Sequence, residues 1–249
     1  SLAWQDLHRL IQDEDRIVRG RAADAIGEAF GLIPDKSKAW QDLHGLTQDE
    51  DRSVRMLAYY SLGRASGFKA TTADDKNKLE EELGAAIKYF EKSSQESAYS
   101  PARFCSPFYR SYFAIIFQDA KEEEIQKYLA EAREAVGISK CKDELLKAVE
   151  NLAQALQKAQ RLMDRPFEEV ASELNTYRWY CNKAASHMDA AEDKAPIETK
   201  LMKMCNPLLE ERMQATIAEI QEKAKQICQI THGSGTDYEA PGAEIQKAA

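Results

Sequence analysis

Two stretches of the chain concentrate residue types that grip anions. They are Arg103-Phe104-Cys105-Ser106-Pro107-Phe108-Tyr109-Arg110-Ser111-Tyr112-Phe113 and Tyr177-Arg178-Trp179-Tyr180-Cys181. A planar guanidinium stacks on rings and holds a carboxylate through paired hydrogen bonds, which is why arginine and aromatic residues favour interaction hot spots. Arg103, Tyr109, Arg110, Tyr177, Arg178 and Trp179 are therefore expected to line a groove for an acidic peptide or a small anion. The competing arrangement buries the rings as helical core and lets the arginine stems snorkel to water.

Catalytic chemistry finds less support. Cys105, Cys181 and Cys205 would need an adjacent base, and beyond the first 69 residues the histidines are His187 and His232. Cys181 and His187 stand six apart on one expected helix and so point to different faces. His187, Asp189, Glu192 and Asp193 fit no known metal-binding spacing, and Gly233-Ser234-Gly235-Thr236 lacks the lysine and the strand of a phosphate loop. The reading is a non-enzymatic protein with no metal and no cofactor.

Composition narrows the partner class. The net charge is −8, with 11 acidic and 10 basic residues in the first 69 positions and 31 and 24 in the remainder. That sign disfavours nucleic acid, which selects basic surfaces. The longest apolar stretch, near Tyr112 to Phe117, falls far short of a membrane span. Five singly placed cysteines suggest a reduced compartment, so a cytoplasmic location is expected.

What must position these residues is helical. Ala3-Trp4-Gln5-Asp6-Leu7-His8 recurs as Ala39-Trp40-Gln41-Asp42-Leu43-His44, and Gln12-Asp13-Glu14-Asp15-Arg16 recurs as Gln48-Asp49-Glu50-Asp51-Arg52, a period of 36 residues. Each copy reads as a short helix, an acidic turn and a longer helix striped with small apolar residues, the mark of a helical solenoid. Asp15 and Asp51 are placed to cap the longer helices. Arg19 and Arg55, one turn on, can pair with that Asp or with the Asp of the adjacent repeat in a ladder. His8 and His44 recur together but are too few for a metal site, so surface or capping roles are expected. The repeat opens at the first residues, whereas solenoids usually begin with an atypical cap, so further repeats are expected upstream.

Asp15-Arg16-Ile17-Val18-Arg19 followed by Ala22, Ala23, Ala25, Ile26 and Gly27 resembles the second helix of a HEAT repeat, and Asp51-Arg52-Ser53-Val54-Arg55, Ala58, Leu62 and Gly63 resemble it equally. The resemblance covers about the first 70 residues. It implies stacked antiparallel helix pairs used as a protein-interaction scaffold, without catalysis. The chain as a whole resembles prokaryotic, specifically archaeal, HEAT-repeat proteins with a long helical C-terminal region, which implies an architecture and no assigned activity.

In the second copy Met56, Leu57, Tyr59 and Tyr60 replace smaller or polar residues, which suits a junction onto further helices. After Gly67 the repeat is expected to stop. Helices are then expected around Leu79 to Phe90, from Pro107 through Phe117 after a loop spanning 93–106, around Ile125 to Val136, around Leu145 to Met163, from Pro166 through Met188, and after Asn206-Pro207. The fold class is thus all-α: two HEAT-like repeats over 1–69, a helical bundle over 70–231 and an irregular tail over 232–249. The leading function is a scaffold or adaptor for protein partners, with Tyr60 and Arg64 as further surface candidates beside Arg19 and Arg55. The alternative is a ligand-sensing helical domain that binds a small anion or an acidic peptide.

Overall fold

The computed structural model describes residues 2–118, 120–161, 167–205, 208 and 222. Among the described residues the secondary structure is helical and no strand occurs. The elements are α1 (Leu2–Leu10), α2 (Arg16–Ala29) with a 3₁₀ turn (Phe30–Leu32), α3 (Lys36–Leu46), α4 (Arg52–Ala70), α5 (Lys76–Glu96), α6 (Ala102–Phe117), α7 (Glu122–Glu134), α8 (Lys140–Arg161) and α9 (Phe167–Ala191). A further helix, α10, covers 196–205.

Local capping sets where several of these helices begin. The Asp15 carboxylate accepts the Ile17 N–H at 2.8 Å, and Asp51 accepts those of Ser53 and Val54 at 2.8 and 3.2 Å. Asp35 and Asp75 do the same for the Lys38 and Lys78 N–H groups, each at 2.9 Å. Each such cap contributes about 1 kcal/mol by satisfying an amide that the helix itself leaves unpaired.

Successive helices pack on one another, and α2 also lies along α4. That contact is close because its residues are small. Ala22, Ala23, Ala58 and Ala65 are buried, and a Cβ added to Gly27 would come within 2.5 Å of the Ser61 Cβ. Two apolar cores result. One runs from Ile11 to Ala65 and the other from Ala70 to Cys205. Leu57 and Tyr59 of α4 pack against the first and Tyr60 against the second, so the enlarged residues of the second copy face both ways. In α5, Tyr89 packs against the first core while Phe90 sits inside the second.

Two boundaries differ from the sequence expectation. The loop before α6 covers only 97–101, and Pro107 lies inside α6 rather than at its start. Ser100 Oγ accepts the Ala102 N–H at 3.1 Å and starts the helix early. Pro107 removes one backbone hydrogen bond from the helix interior. Against that cost, Phe104, Cys105, Phe108, Tyr109 and Tyr112 are all buried by the longer helix. The second difference is α10, which starts at Pro196, ten residues before the expected helix start at Asn206-Pro207. Pro196 occupies the first helical position, where a missing N–H costs nothing. The expected helix from 207 to 231 and the tail 232–249 lie almost wholly outside the described residues.

Candidate functional site

The repeat motif is consumed in joining one turn to the next. Arg19 donates from Nε and Nη2 to both Asp49 carboxylate oxygens at 2.7 and 2.9 Å, and from Nη1 to the Asp13 and Glu14 carbonyls at 2.9 Å. Arg55 repeats the pattern one period on. It grips the Glu96 carboxylate at 3.2 and 3.0 Å and the Asp49 and Glu50 carbonyls at 2.9 and 3.0 Å. Each arginine thus straps its own acidic turn to the next helix pair, as a ladder would, but the carboxylates are Asp49 and Glu96 rather than the capping aspartates expected from the sequence for Arg19 and Arg55. Arg16 adds a bond to Asp51 at 2.8 Å. The hydrogen bond from Arg19 holds the Asp49 carboxyl below the usual carboxylate range, and the one from Arg16 does the same for Asp51.

Both recurring histidines also link consecutive helix pairs, a role the sequence reading did not give them. His8 Nδ1 lies 2.6 Å from the Asp42 carboxylate, joining α1 to α3. His44 Nε2 lies 3.1 Å from the Tyr89 hydroxyl, joining α3 to α5. Burial lowers the His44 pKa, with smaller contributions from the Lys69 and Lys92 charges. The stacking devices therefore continue past Gly67: α5 carries the same aspartate cap as α3, and Arg103 donates to the Ala98 carbonyl at 3.4 Å, five residues back, as Arg19 and Arg55 do.

Between α4 and α6 the contact changes character. Rings occupy it: Phe90 lies 5.9 Å from Tyr60 and 5.1 Å from Tyr109, centre to centre. Beside these rings lies a cavity of about 950 Å³. Its walls include Phe30, Phe68, Phe104 and Phe108, its polar lining includes Tyr60, Tyr109, Cys105 and Glu198, and Arg64, Lys142, Lys194 and Lys200 bring positive charge to it. The Tyr109 hydroxyl donates to Glu198 Oε1 at 3.3 Å, and burial raises the Glu198 pKa. The Tyr60 and Tyr109 hydroxyls are likewise raised by burial.

Of the expected binding residues, Tyr60, Arg64 and Tyr109 meet at this cavity, and the others lie elsewhere. Arg103 is exposed on the strap series. Arg110 is ion-paired with Glu91, its guanidinium 5.5 Å from the centre of the Tyr128 ring. Tyr177 packs against the second core, Arg178 is exposed, and Trp179 is exposed with Lys183 over its ring at 5.5 Å. The two aromatic stretches are not brought into one groove. Sequence reasoning missed Lys142, Lys194, Glu198 and Lys200 at the cavity; the signal available was Pro196, whose helix start turns Glu198 inward.

The thiols in the cavity are poor nucleophiles. Burial pushes Cys105 up to about 12 and also raises Cys141, the reverse of the lowered pKa of a reactive cysteine.

A family model for HEAT repeats matches residues 5–86, past the first 70 residues covered by the repeat motif and including the first eleven residues of α5. Comparison with curated proteins and with solved structures finds no match.

Proposed function

We propose that this chain, whose residues 5–86 match a HEAT-repeat family model, is a non-enzymatic scaffold or adaptor that holds protein partners on its helix-lined surfaces. The observation that carries this reading is the strap series. The repeat's most chemically capable residues, Arg19, Arg55 and Asp49, are tied up in joining helix pairs, so the motif contributes a surface rather than a reaction. Raised thiols support the absence of nucleophilic catalysis. No helix among the described residues is long and apolar enough to cross a membrane. The acidic balance of the chain supports protein partners over nucleic acid, and a cytoplasmic location is part of the same reading.

The test is affinity capture from the native host with the full-length protein, followed by mass spectrometry and reconstitution. The expected result is a reproducible partner that forms a defined complex with the chain in size-exclusion chromatography. Retention of nothing above bare matrix, or of nucleic acid alone, overturns the reading. The alternative, a ligand-sensing domain, is favoured by one observation: the cavity is walled by both the repeats (Gly27, Arg64) and the later helices (Cys141, Ile197), so an occupant would touch both.

A further inference from the structure

We infer that the cavity bordered by α4, α6, α8 and α10 is a docking site for an acidic peptide segment of a partner protein, anchored by an apolar side chain between its rings. This rests on the scaffold reading and assigns it a place and a partner chemistry. Three observations carry it.

The first is charge. Four cationic side chains, Arg64, Lys142, Lys194 and Lys200, line the cavity against three acidic ones, Glu28, Asp193 and Glu198, in a chain whose net charge is −8. Among the described residues Lys142, Lys194 and Lys200 have no carboxylate within ion-pair distance, and Arg64 reaches Asp24 only at 4.0 Å. Elsewhere Arg16, Arg19, Arg55 and Arg110 are ion-paired, whereas exposed cations such as Arg21, Lys88 and Lys127 stand singly on the surface; the cavity differs in bringing unpaired lysines together at one lined site. The cavity therefore gathers three lysines, Lys142, Lys194 and Lys200, that the fold does not pair with a carboxylate, Lys142 lying over the Phe104 ring at 5.3 Å.

The second is backbone polarity. The α8 N-terminus brings Ser139, Cys141 and Lys142 to the cavity, and the α10 N-terminus brings Pro196, Ile197 and Glu198. Ser139 Oγ accepts the Lys142 N–H at 3.4 Å and Pro196 has no N–H, so what the two N-termini bring to the cavity is the partial positive charge of the helix dipole, which favours an anion.

The third is shape. A volume of about 950 Å³ exceeds what a single inorganic anion fills and stands at the upper end of the roughly 300–1,000 Å³ typical of ligand pockets. Its walls are aromatic, while Glu28, Lys194 and Lys200 at the edge are exposed. An apolar side chain buried among the rings with carboxylates at the basic edge satisfies both. The resident Glu198 is half-buried, whereas Glu28 and Asp193 are exposed, so among the acids of the cavity its removal should favour the ligand most.

The experiment is fluorescence anisotropy on the full chain. The probes are a labelled twelve-residue peptide with two phenylalanines flanked by glutamates, and its counterpart with every glutamate changed to glutamine. The glutamate peptide is expected to bind at least tenfold tighter, weakening as salt rises. Lys194→Glu with Lys200→Glu, both exposed and so neutral for folding, should reduce that binding at least tenfold. Lys142→Gln should reduce it less, and Glu198→Gln should leave it equal or tighter. Equal binding of the two peptides, unchanged binding in the Lys194/Lys200 variant, or full displacement by citrate at matched ionic strength overturns the proposal, the last by making a small anion the occupant. Failure here leaves the scaffold reading intact if a captured partner still forms a defined complex with the Lys194/Lys200 variant. Absence of any captured partner removes the scaffold reading itself.

Discussion

At the contact of α2 with α4, a methyl added to Gly27 would press on the Cβ and Cα of Ser61 at 2.5 and 2.7 Å. One helix pair later the spacers are rings: Gly63 faces Phe90, and Gly67 faces the Tyr109 hydroxyl. The first region is spaced by its smallest side chains and tied by charge. The second is spaced by its largest side chains and leaves a cavity beside them. The cavity lies where the two kinds of spacing meet, with Gly27 on one side and Phe104, Phe108 and Tyr109 on the other.

The sharpest way to break this comparison is Phe90→Ala. Phe90 is 1% exposed and lies between Tyr60 and Tyr109, so its loss should cost about 3–5 kcal/mol in urea unfolding. Because Tyr89 beside it packs against the other core, one cooperative transition at lower urea is expected. Two separate transitions would show that the regions fold independently.

Next comes the strap. The Arg19 and Asp49 side chains are 12% and 8% exposed, whereas Arg52 is 66% exposed against Glu96. Arg19→Met leaves a nearly buried carboxylate without its partner and should cost about 2–3 kcal/mol. Arg52→Met should cost less than about 0.5 kcal/mol. Equal losses would mean that the strap is an ordinary surface pair. Acid titration checks the same contact: the Asp49 pKa is depressed in the fold, so its contribution is complete above about pH 4 and disappears as pH falls further. The Arg19→Met penalty should shrink over that range.

Gly27→Ala tests the small-residue rule directly. The overpacking should outweigh the roughly 1 kcal/mol gained by replacing glycine within a helix, for a net loss of about 1–2 kcal/mol in thermal or urea unfolding. Gly84→Ala, where an added Cβ meets nothing within 4 Å, should instead stabilise the fold slightly.

The smallest effect is expected at the cavity. Burial raises the Glu198 pKa, so ionising it in the fold is unfavourable, and this cost grows as pH rises above about 4.5. Glu198→Gln should match the parent in thermal unfolding at pH 4 and exceed it modestly at pH 7.5. A variant less stable at pH 7.5 than at pH 4, relative to the parent, would show that the carboxylate is stabilised by its surroundings.

Periodicity made the first two helix pairs legible, because the same residues recur at the same offsets and the aspartate caps announce each start. The third set of devices was harder to see. The Arg55 partner lies 41 residues on, against 30 for Arg19, since α5 is a longer helix. Ala-rich stripes also give way to Phe104, Phe108 and Tyr109 in α6. The cavity was half legible for a similar reason: Tyr60, Arg64 and Tyr109 stood out as types, but Lys142, Lys194, Lys200 and Glu198 acquire meaning only when the turns before α8 and α10 meet α4. Arg110 and Trp179 looked equally promising because composition does not reveal that Glu91 pairs with the first or that the second faces outward.

The strap has a consequence for how such a chain can evolve. Every rung runs from an arginine in one unit to a carboxylate in the next, so a tandem duplication of residues 16–51 places a new Arg16 and Arg19 before a new Asp49 and Asp51 and leaves no rung open. An insertion of another length inside that segment keeps the rung only if the added residues extend the helices far enough to return the carboxylate to the arginine, as the longer α5 does for Arg55 and Glu96. Duplication of a whole unit is therefore the change of length that lengthens this part of the molecule without asking any helix to be rebuilt.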